Sequence, residues 1–178
     1  MAVRIEALGR GHRALLADFR NQHASLVQYV QRFALRHAER DLLARTYVAI
    51  DDAGPRIAGY FSLAAVSVAR ASVTAVPALD RLPRFPIPGV LLAQLAVDER
   101  VQGQGLGRYL LEEALGRTLT LARVGPIGFR LFVTDAIDAT AARFYERFGF
   151  ARLRDEYPCR CVLDLAPLLS LPSECRRG

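Results

Sequence analysis

No lysine occurs in the chain: all 24 basic residues are arginine. That absence removes the Walker phosphate loop, which needs Gly-x4-Gly-Lys-Ser/Thr. It reads as the codon usage of a GC-rich genome, although clustered arginine is also the footprint of a polyanionic partner. Cysteine is scarce. The three present, Cys159, Cys161 and Cys175, are odd in number and late in the chain, which is no disulfide framework. Cys159-x-Cys161 reads as alternate positions of one strand. The three histidines, His12, His23 and His37, lie toward the other end of the sequence. No four-ligand set is in view, and no metal is expected. Long apolar runs are missing as well. "GVLLAQLAV" is among the longest and falls far short of the ~18–20 residues that span a bilayer. The opening "MAVRIEALGR" has no signal-peptide core. A cytoplasmic protein with no membrane partner is the expectation.

Hydrophobic residues make up 52% of the 178 positions and the net charge is +6. A sizeable core is therefore available, and disorder is excluded. One domain over residues 1–170, followed by a tail at 171–178, is expected. Alternation in "VRIEAL" predicts a first strand. Two helices follow, over Gly11–Arg20 and Ser25–Arg40. "RTYVAID" and "RIAGYFSLAAVSV" flank the turn "DDAGP" as an antiparallel hairpin. Residues 70–88 carry Pro77, Pro83, Pro86 and Pro88 and read as a loop. A strand over Gly89–Val97, a glycine loop and a helix to about Arg123 come next. "FRLFVT" is a further strand. "DATAARFYERFGF" is a short helix with Asp138 as N-cap and Gly149 as its stop. "ARLRD" and "CRCVLDL" close the chain as a hairpin. The order predicts an α+β domain with a mixed, mostly antiparallel sheet flanked by helices.

The centre of this plan is "VDERVQGQGLGRYLLEEAL", with Gly103, Gly105 and Gly107 at every second position. A helix N-terminus carries unpaired N–H groups and partial positive charge. Glycines before it let an anion reach the backbone. The spacing is Gly-x-Gly-x-Gly, not the Gly-x-Gly-x-x-Gly of a dinucleotide fold, and it comes too late in the chain for one. A pyrophosphate cradle and a ligand-free glycine turn both remain open on the glycines alone.

Taken with "ARFYERFGF", the stretch "LAVDERVQGQGLGRYLLEEAL" resembles the GNAT family of N-acetyltransferases. Its Gln/Arg-x-x-Gly-x-Gly/Ala signature matches Gln102, Gly105 and Gly107. "RTYVAID", "IAGYFSLAAVSV" and "IDATAARFYERFGF" extend the resemblance to the acetyltransferase toxins of bacterial toxin–antitoxin pairs. Two positions depart from that branch. "NQHASLV", Asn21 to Val27, stands where Cys-Gly-x-x-x-Leu-Asp is usual, and Gln94 stands where arginine is common. The resemblance implies acetyl-CoA as cosubstrate. It would be held by the backbone of Leu95, Ala96 and Val97, by Gln102, Gly103, Gln104, Gly105, Leu106, Gly107 and Arg108, and by Ala142. It also implies aminoacyl-tRNA as acceptor, a ribbon-helix-helix antitoxin as partner, and Tyr145 as catalytic residue. A homodimer is a further assembly left open.

The residues are compatible with that chemistry. Gly-x-Ser-x-Gly is absent, and the cysteines have no histidine nearby in sequence, so direct attack by an amine fits better than an acyl-enzyme. A backbone N–H on strand 89–97 can meet the oxyanion. A tyrosine phenol can protonate a departing thiolate. "GVLLAQLAV" holds no carboxylate to act as general base; Asp98 and Glu99 read as solvated loop charges. An α-amine, with a pKa near 7.7–8.0, needs less help than a lysine at about 10.4. Arg32, Arg36 and Arg40 share a helical spacing, as do Arg143 and Arg147, and Arg84 sits in the proline loop. Each is a solvated charge or a contact for tRNA. Acetylation of a small amine or protein N-terminus, and a non-catalytic RNA-binding or partner-binding module, are the alternatives.

Overall fold

The computed structural model describes residues 2–170; the expected tail at 171–178 lies outside them. The strands are β1 (Val3–Ala7), β2 (Arg45–Asp51), β3 (Arg56–Val68), β4 (Ile87–Val97), β5 (Leu131–Ala136), β6 (Ala151–Arg152) and β7 (Cys159–Asp164). They form one mixed seven-stranded sheet, ordered β1-β2-β3-β4-β5-β7-β6. The helices are α1 (Arg13–Leu16), α2 (Ala24–Gln28), α3 (Ala34–Glu39), α4 (Leu106–Val124), α5 (Ala139–Glu146) and α6 (Ala166–Leu169). Among the described residues the single α+β domain divides into two compact units, 2–64 with Leu92–Ala114, and Ala65–Leu91 with 115–170.

In the first unit β1, β2 and β3 run antiparallel in sequence order, with Val3 opposite Asp51 and Arg45 opposite Leu63. Val48 and Ile50 on β2 enter a core with Leu16, Phe19, Val30 and Ala34, and their partners Tyr60 and Ile57 on β3 join them through a register shift between Ala49 and Ile50. Tyr60 is fully buried, meets the edge of Phe19 at 5.3 Å and donates its hydroxyl to the Leu26 carbonyl at 2.7 Å. That bond satisfies the buried phenol and fixes α2 over the sheet. Gly59 on β3 was not singled out by the sequence. A Cβ there would stand 2.8 Å from Leu110 Cδ1 and 2.9 Å from the Ala96 carbonyl oxygen. Only hydrogen at this position lets the start of α4 sit so close to the strands.

Both early helices differ from expectation. The first is a 3-10 turn at Arg10–His12 running into α1, and it ends at Leu16 rather than Arg20. The reason is that the Asp18 carbonyl and the Arg20 N–H bond elsewhere, to Arg100 and Asp98. The second is not one regular helix: α2 and α3 are joined through a π turn at Tyr29–Phe33, which disturbs the even spacing of the arginine row.

In the second unit β7 lies antiparallel to both β5 and β6. Cys159 and Cys161 occupy alternate, buried positions of β7, as their spacing predicts. Residues 70–86 are more than a surface connector. Two 3-10 turns, Arg70–Ser72 and Pro77–Leu79, drive fully buried Val73 and Leu79 into a core with Ile87, Leu131, Val133 and Val162. Asp138 caps α5 by accepting from the Ala141 N–H at 2.8 Å, and Gly149 stops the chain with φ of +84°.

Candidate active site

The glycine loop falls where β4 ends and α4 begins. Gly103 and Gly105 have φ of +77° and +83°, a region that side chains other than hydrogen disfavour. No atom lies within 4 Å of where a Cβ on either would stand. Gly107 differs: its φ is ordinary, and an added Cβ would make normal contact with Val97 Cγ2 at 3.7 Å. Its missing side chain therefore matters for access rather than for conformation. The first helical bond runs from the Tyr109 N–H to the Gly105 carbonyl at 3.1 Å. The N–H groups of Leu106, Gly107 and Arg108 are left without intrahelical acceptors. An exposed loop with open N–H groups and a positive helix end fits a pyrophosphate. Gln102, Gly103, Gln104 and Gly105 are exposed, Leu106 is buried, and Arg108 pairs with Glu112 at 2.7 Å.

The end of β4 is fixed from two sides. The Val97 carbonyl accepts from Asn21 Nδ2 at 2.9 Å and from Gln102 Nε2 at 3.3 Å. Asn21 Oδ1 in turn accepts from the His23 N–H at 2.9 Å. Leu95 and Val97 are partly buried and Ala96 is buried, so their side chains belong mainly to the core. No carboxylate lies within β4, and Gln94 is partly buried.

Asp98 corrects the sequence reading. It is no solvated loop charge: it is 1% exposed. Its carboxylate accepts from the Arg20 and Arg100 N–H groups at 3.0 Å each, and from Arg100 Nε and Nη2 at 2.7 Å. Arg100 also reaches the Asp18 carboxylate at 2.7 Å and the Asp18 carbonyl at 2.8 Å. Glu99 is exposed, as expected. Burial alone would raise the Asp98 pKa, but the bonds from Arg100 and the Arg20 N–H outweigh it and hold the carboxyl below its ordinary value. A depressed folded pKa means stability that is present above the unfolded carboxylate pKa and lost as pH falls through the folded one. Asp98→Asn is therefore expected to cost about 2–4 kcal/mol at neutral pH. The gap between wild type and variant should begin to narrow as pH falls past about 4, the ordinary Asp value of the unfolded chain, and close as it passes through the lower folded value. Urea unfolding of both proteins across that range measures it; a gap independent of pH would contradict this assignment.

Tyr145 lies in the second unit, on α5. It is 7% exposed and packed between Phe144 and Phe150, with ring centroids 5.2 and 5.5 Å away. Burial pushes its pKa up to about 12, against a hydrogen bond with Thr134 that acts to lower it; the neighbouring Cys161 adds to the rise. The phenol is thus a protonated donor at neutral pH. Burial also pushes the Cys161 thiol up, so it is no thiolate nucleophile. Ala142, on the same helix, is fully buried.

The arginine candidates divide. Arg32, Arg84 and Arg143 are exposed, and no ion pair among the described residues holds them. Arg36 is tied to Asp41 at 2.8 Å. Among the described residues no cluster of three or more potential metal ligands occurs, and no helix is long and apolar enough to cross a membrane.

Residues 43–152 match the model of the Acetyltransferase (GNAT) domain. The chain belongs to the GNAT acetyltransferase family. It is an N-acetyltransferase. This GNAT chain is similar to the tRNA-acetylating toxin of Mycobacterium tuberculosis, at 35% identity over 136 residues, or 76% of this chain and 77% of that one. It is 27% identical to a probable toxin TacT of Sinorhizobium fredii over 71% of its length and 72% of the relative's. Among solved structures, AtaT complexed with acetyl-methionyl-tRNAfMet superposes with a TM-score of 0.81, at 23% identity, over 94% of this chain and 97% of that one. A tyrosine-to-phenylalanine mutant of KacT gives 0.84 at 22% identity, over 94% and 98%. In this GNAT chain the sequence reading missed Asn21, Asp98 and Arg100. Besides the Asp98–Arg100 pair, two residues apart, each reaches a partner 76 to 82 residues away, and no local pattern marks those bonds.

Proposed function

We propose that the protein transfers the acetyl group of acetyl-CoA to the α-amino group of aminoacyl-tRNA, blocks translation by doing so, and is held in check by a ribbon-helix-helix antitoxin. The observation that carries this reading is the 35% identity to a tRNA-acetylating toxin across three quarters of the chain. The likeness of fold to AtaT, solved with acetyl-methionyl-tRNAfMet and with the C-terminus of its antitoxin AtaR, supports it. The open glycine loop and the protonated Tyr145 supply the chemistry that it needs. Gln102 to Arg108 hold the pyrophosphate, and the backbone of Leu95 to Val97 receives the acetyl arm. The amine nitrogen forms a bond to the acetyl carbon as the carbon–sulfur bond breaks. Tyr145 passes its proton to the departing sulfur, and the proton lost by nitrogen restores the phenol through solvent. With no carboxylate on β4, the acceptor is an amine already about half neutral near pH 8.

Exposed Arg32, Arg84 and Arg143 are the tRNA contacts in this reading. Each arginine–phosphate contact releases counterions, so log K for tRNA should fall with log salt at a slope of up to about −0.9 per duplex contact. Arg32→Glu and Arg84→Glu should each flatten that slope by about 1 and raise the KM for charged tRNA more than that for acetyl-CoA. Filter binding over a salt series measures the slope. A binding constant indifferent to salt would remove tRNA as the acceptor and leave a small amine or protein N-terminus.

A further inference from the structure

The peptide that closes β4 is held at both ends, and one hold comes from outside the glycine loop. The Asp98 N–H of the Val97–Asp98 peptide donates to the Ala58 carbonyl on β3 at 2.8 Å. The N–H and C=O of a trans peptide point in opposite directions, so the Val97 carbonyl faces away from β3. There it accepts from Asn21 Nδ2 at 2.9 Å and from Gln102 Nε2 at 3.3 Å. Gln102 is exposed and belongs to the loop that holds the pyrophosphate in the proposed reaction. Asn21 stands apart from that loop and makes the shorter bond. Its orientation is forced. Oδ1 accepts from the His23 N–H at 2.9 Å, which leaves Nδ2 for the carbonyl. A flipped amide would set donor against donor and acceptor against acceptor.

Asn21 is not needed to dock its own segment. The Arg20 N–H already binds Asp98, the Arg20 carbonyl accepts from the Glu99 N–H, and Arg100 grips Asp18. What Asn21 adds is a hold on the last carbonyl of the strand. β4 ends at Val97, so this peptide restrains the fraying that would swing the Val97 N–H. We infer that Asn21 is a positioning residue for acetyl transfer: by holding the Val97 carbonyl it keeps the backbone N–H groups at the end of β4 aimed at the thioester oxygen, where negative charge develops. Docking of the acetyl arm on Leu95 to Val97, as proposed above, is its premise. Asn21 opens "NQHASLV", the stretch that departs from the toxin branch; the cysteine usual there is only a weak donor.

The test follows the thioester carbonyl itself. Infrared difference spectra of the full-length enzyme with isotope-labelled acetyl-CoA should place the carbonyl band below its position in free acetyl-CoA, since a donor aimed at the oxygen weakens the C=O bond. Asn21→Asp keeps the acceptor for the His23 N–H and replaces the donor with a second acceptor. It should return the band toward the free position and lower kcat with charged tRNA by about 10–100-fold. Affinity for CoA, which lacks the acetyl group, should stay unchanged in calorimetry. Asn21→Ala, which adds no charge, should move band and kcat in the same direction. Asp18→Ala loosens the same segment at Arg100 and leaves Val97 alone, so it should match wild type in both. An unshifted wild-type band, a wild-type band and kcat in Asn21→Asp, an equal loss in Asp18→Ala, or an Asn21→Ala protein that no longer folds overturns the proposal. The band decides even where charged tRNA is not the acceptor, so the two readings fail separately. CoA binding that survives Gly107→Glu in a folded protein overturns the placement of the cofactor, and this proposal with it.

Discussion

Tyr145→Phe should lower kcat by about 10²–10⁴-fold, the usual share of general acid catalysis, and leave acetyl-CoA affinity little changed. Only the hydroxyl is lost, and the phenyl ring keeps its contacts with Phe144 and Phe150. A phenol whose pKa burial has pushed up to about 12 is a weak acid toward a thiolate whose conjugate acid lies near 8–9 in water. Against that solution value the transfer is uphill by about 3–4 units, or roughly 4–5 kcal/mol. The same burial raises the pKa of a thiolate formed beside it, which narrows the gap. The sign for pH follows. A general acid fails when deprotonated, so a raised pKa keeps Tyr145 competent through about pH 10. The rate should rise with pH through about 7.7–8.0, as the α-amine loses its proton, and then stay level. Steady-state kinetics of both proteins over that range checks it. Near-normal turnover in the variant would return Tyr145 to a packing role.

Gly107→Glu should abolish acetyl-CoA binding, by about 100-fold or more, since placing like charges together costs several kcal/mol. It is a cleaner probe than Gly105→Glu. At Gly105 the φ of +83° adds backbone strain of about 1–2 kcal/mol to any side chain. At Gly107 the φ is ordinary and a Cβ fits at 3.7 Å from Val97, so only the new bulk and charge act. Titration calorimetry measures the affinity, and circular dichroism shows whether the fold is kept. Undiminished binding in a folded Gly107→Glu protein would move the pyrophosphate away from this helix end.

Much of this was legible because it is local. The hairpin turn "DDAGP", the Asp138 cap and the Gly149 stop are written in neighbouring residues and recur in the structure. So is the strand–loop–helix around Gly103 and Gly105. What was misread depends on residues far apart in sequence. Asp98 follows an apolar strand and precedes a glutamate, which on paper is a solvated charge. Its burial comes from Arg20, which is 78 positions away, and from Arg100, which also reaches Asp18. That same network takes the backbone groups that would have continued the first helix. The arginine row at 32, 36 and 40 was read from regular spacing, but a π turn intervenes at Tyr29–Phe33 and Asp41 claims Arg36. The proline segment was read as a loop because prolines break ladders; two 3-10 turns within it bury Val73 and Leu79, which no local signal marked. Of the proposed chemistry, the glycines and Tyr145 were visible as a motif, whereas the raised pKa of Tyr145 depends on packing that no motif spells out.

The central claim is the identity of the acceptor, and one transfer assay tests it most directly. Purified enzyme is incubated with acetyl-labelled acetyl-CoA and either charged or deacylated tRNA. Label should enter only the charged pool, and mild alkaline hydrolysis should release it as an N-acetyl amino acid. Charged tRNA left unlabelled, while a polyamine or a peptide N-terminus takes up the acetyl group from the same enzyme, would contradict the account.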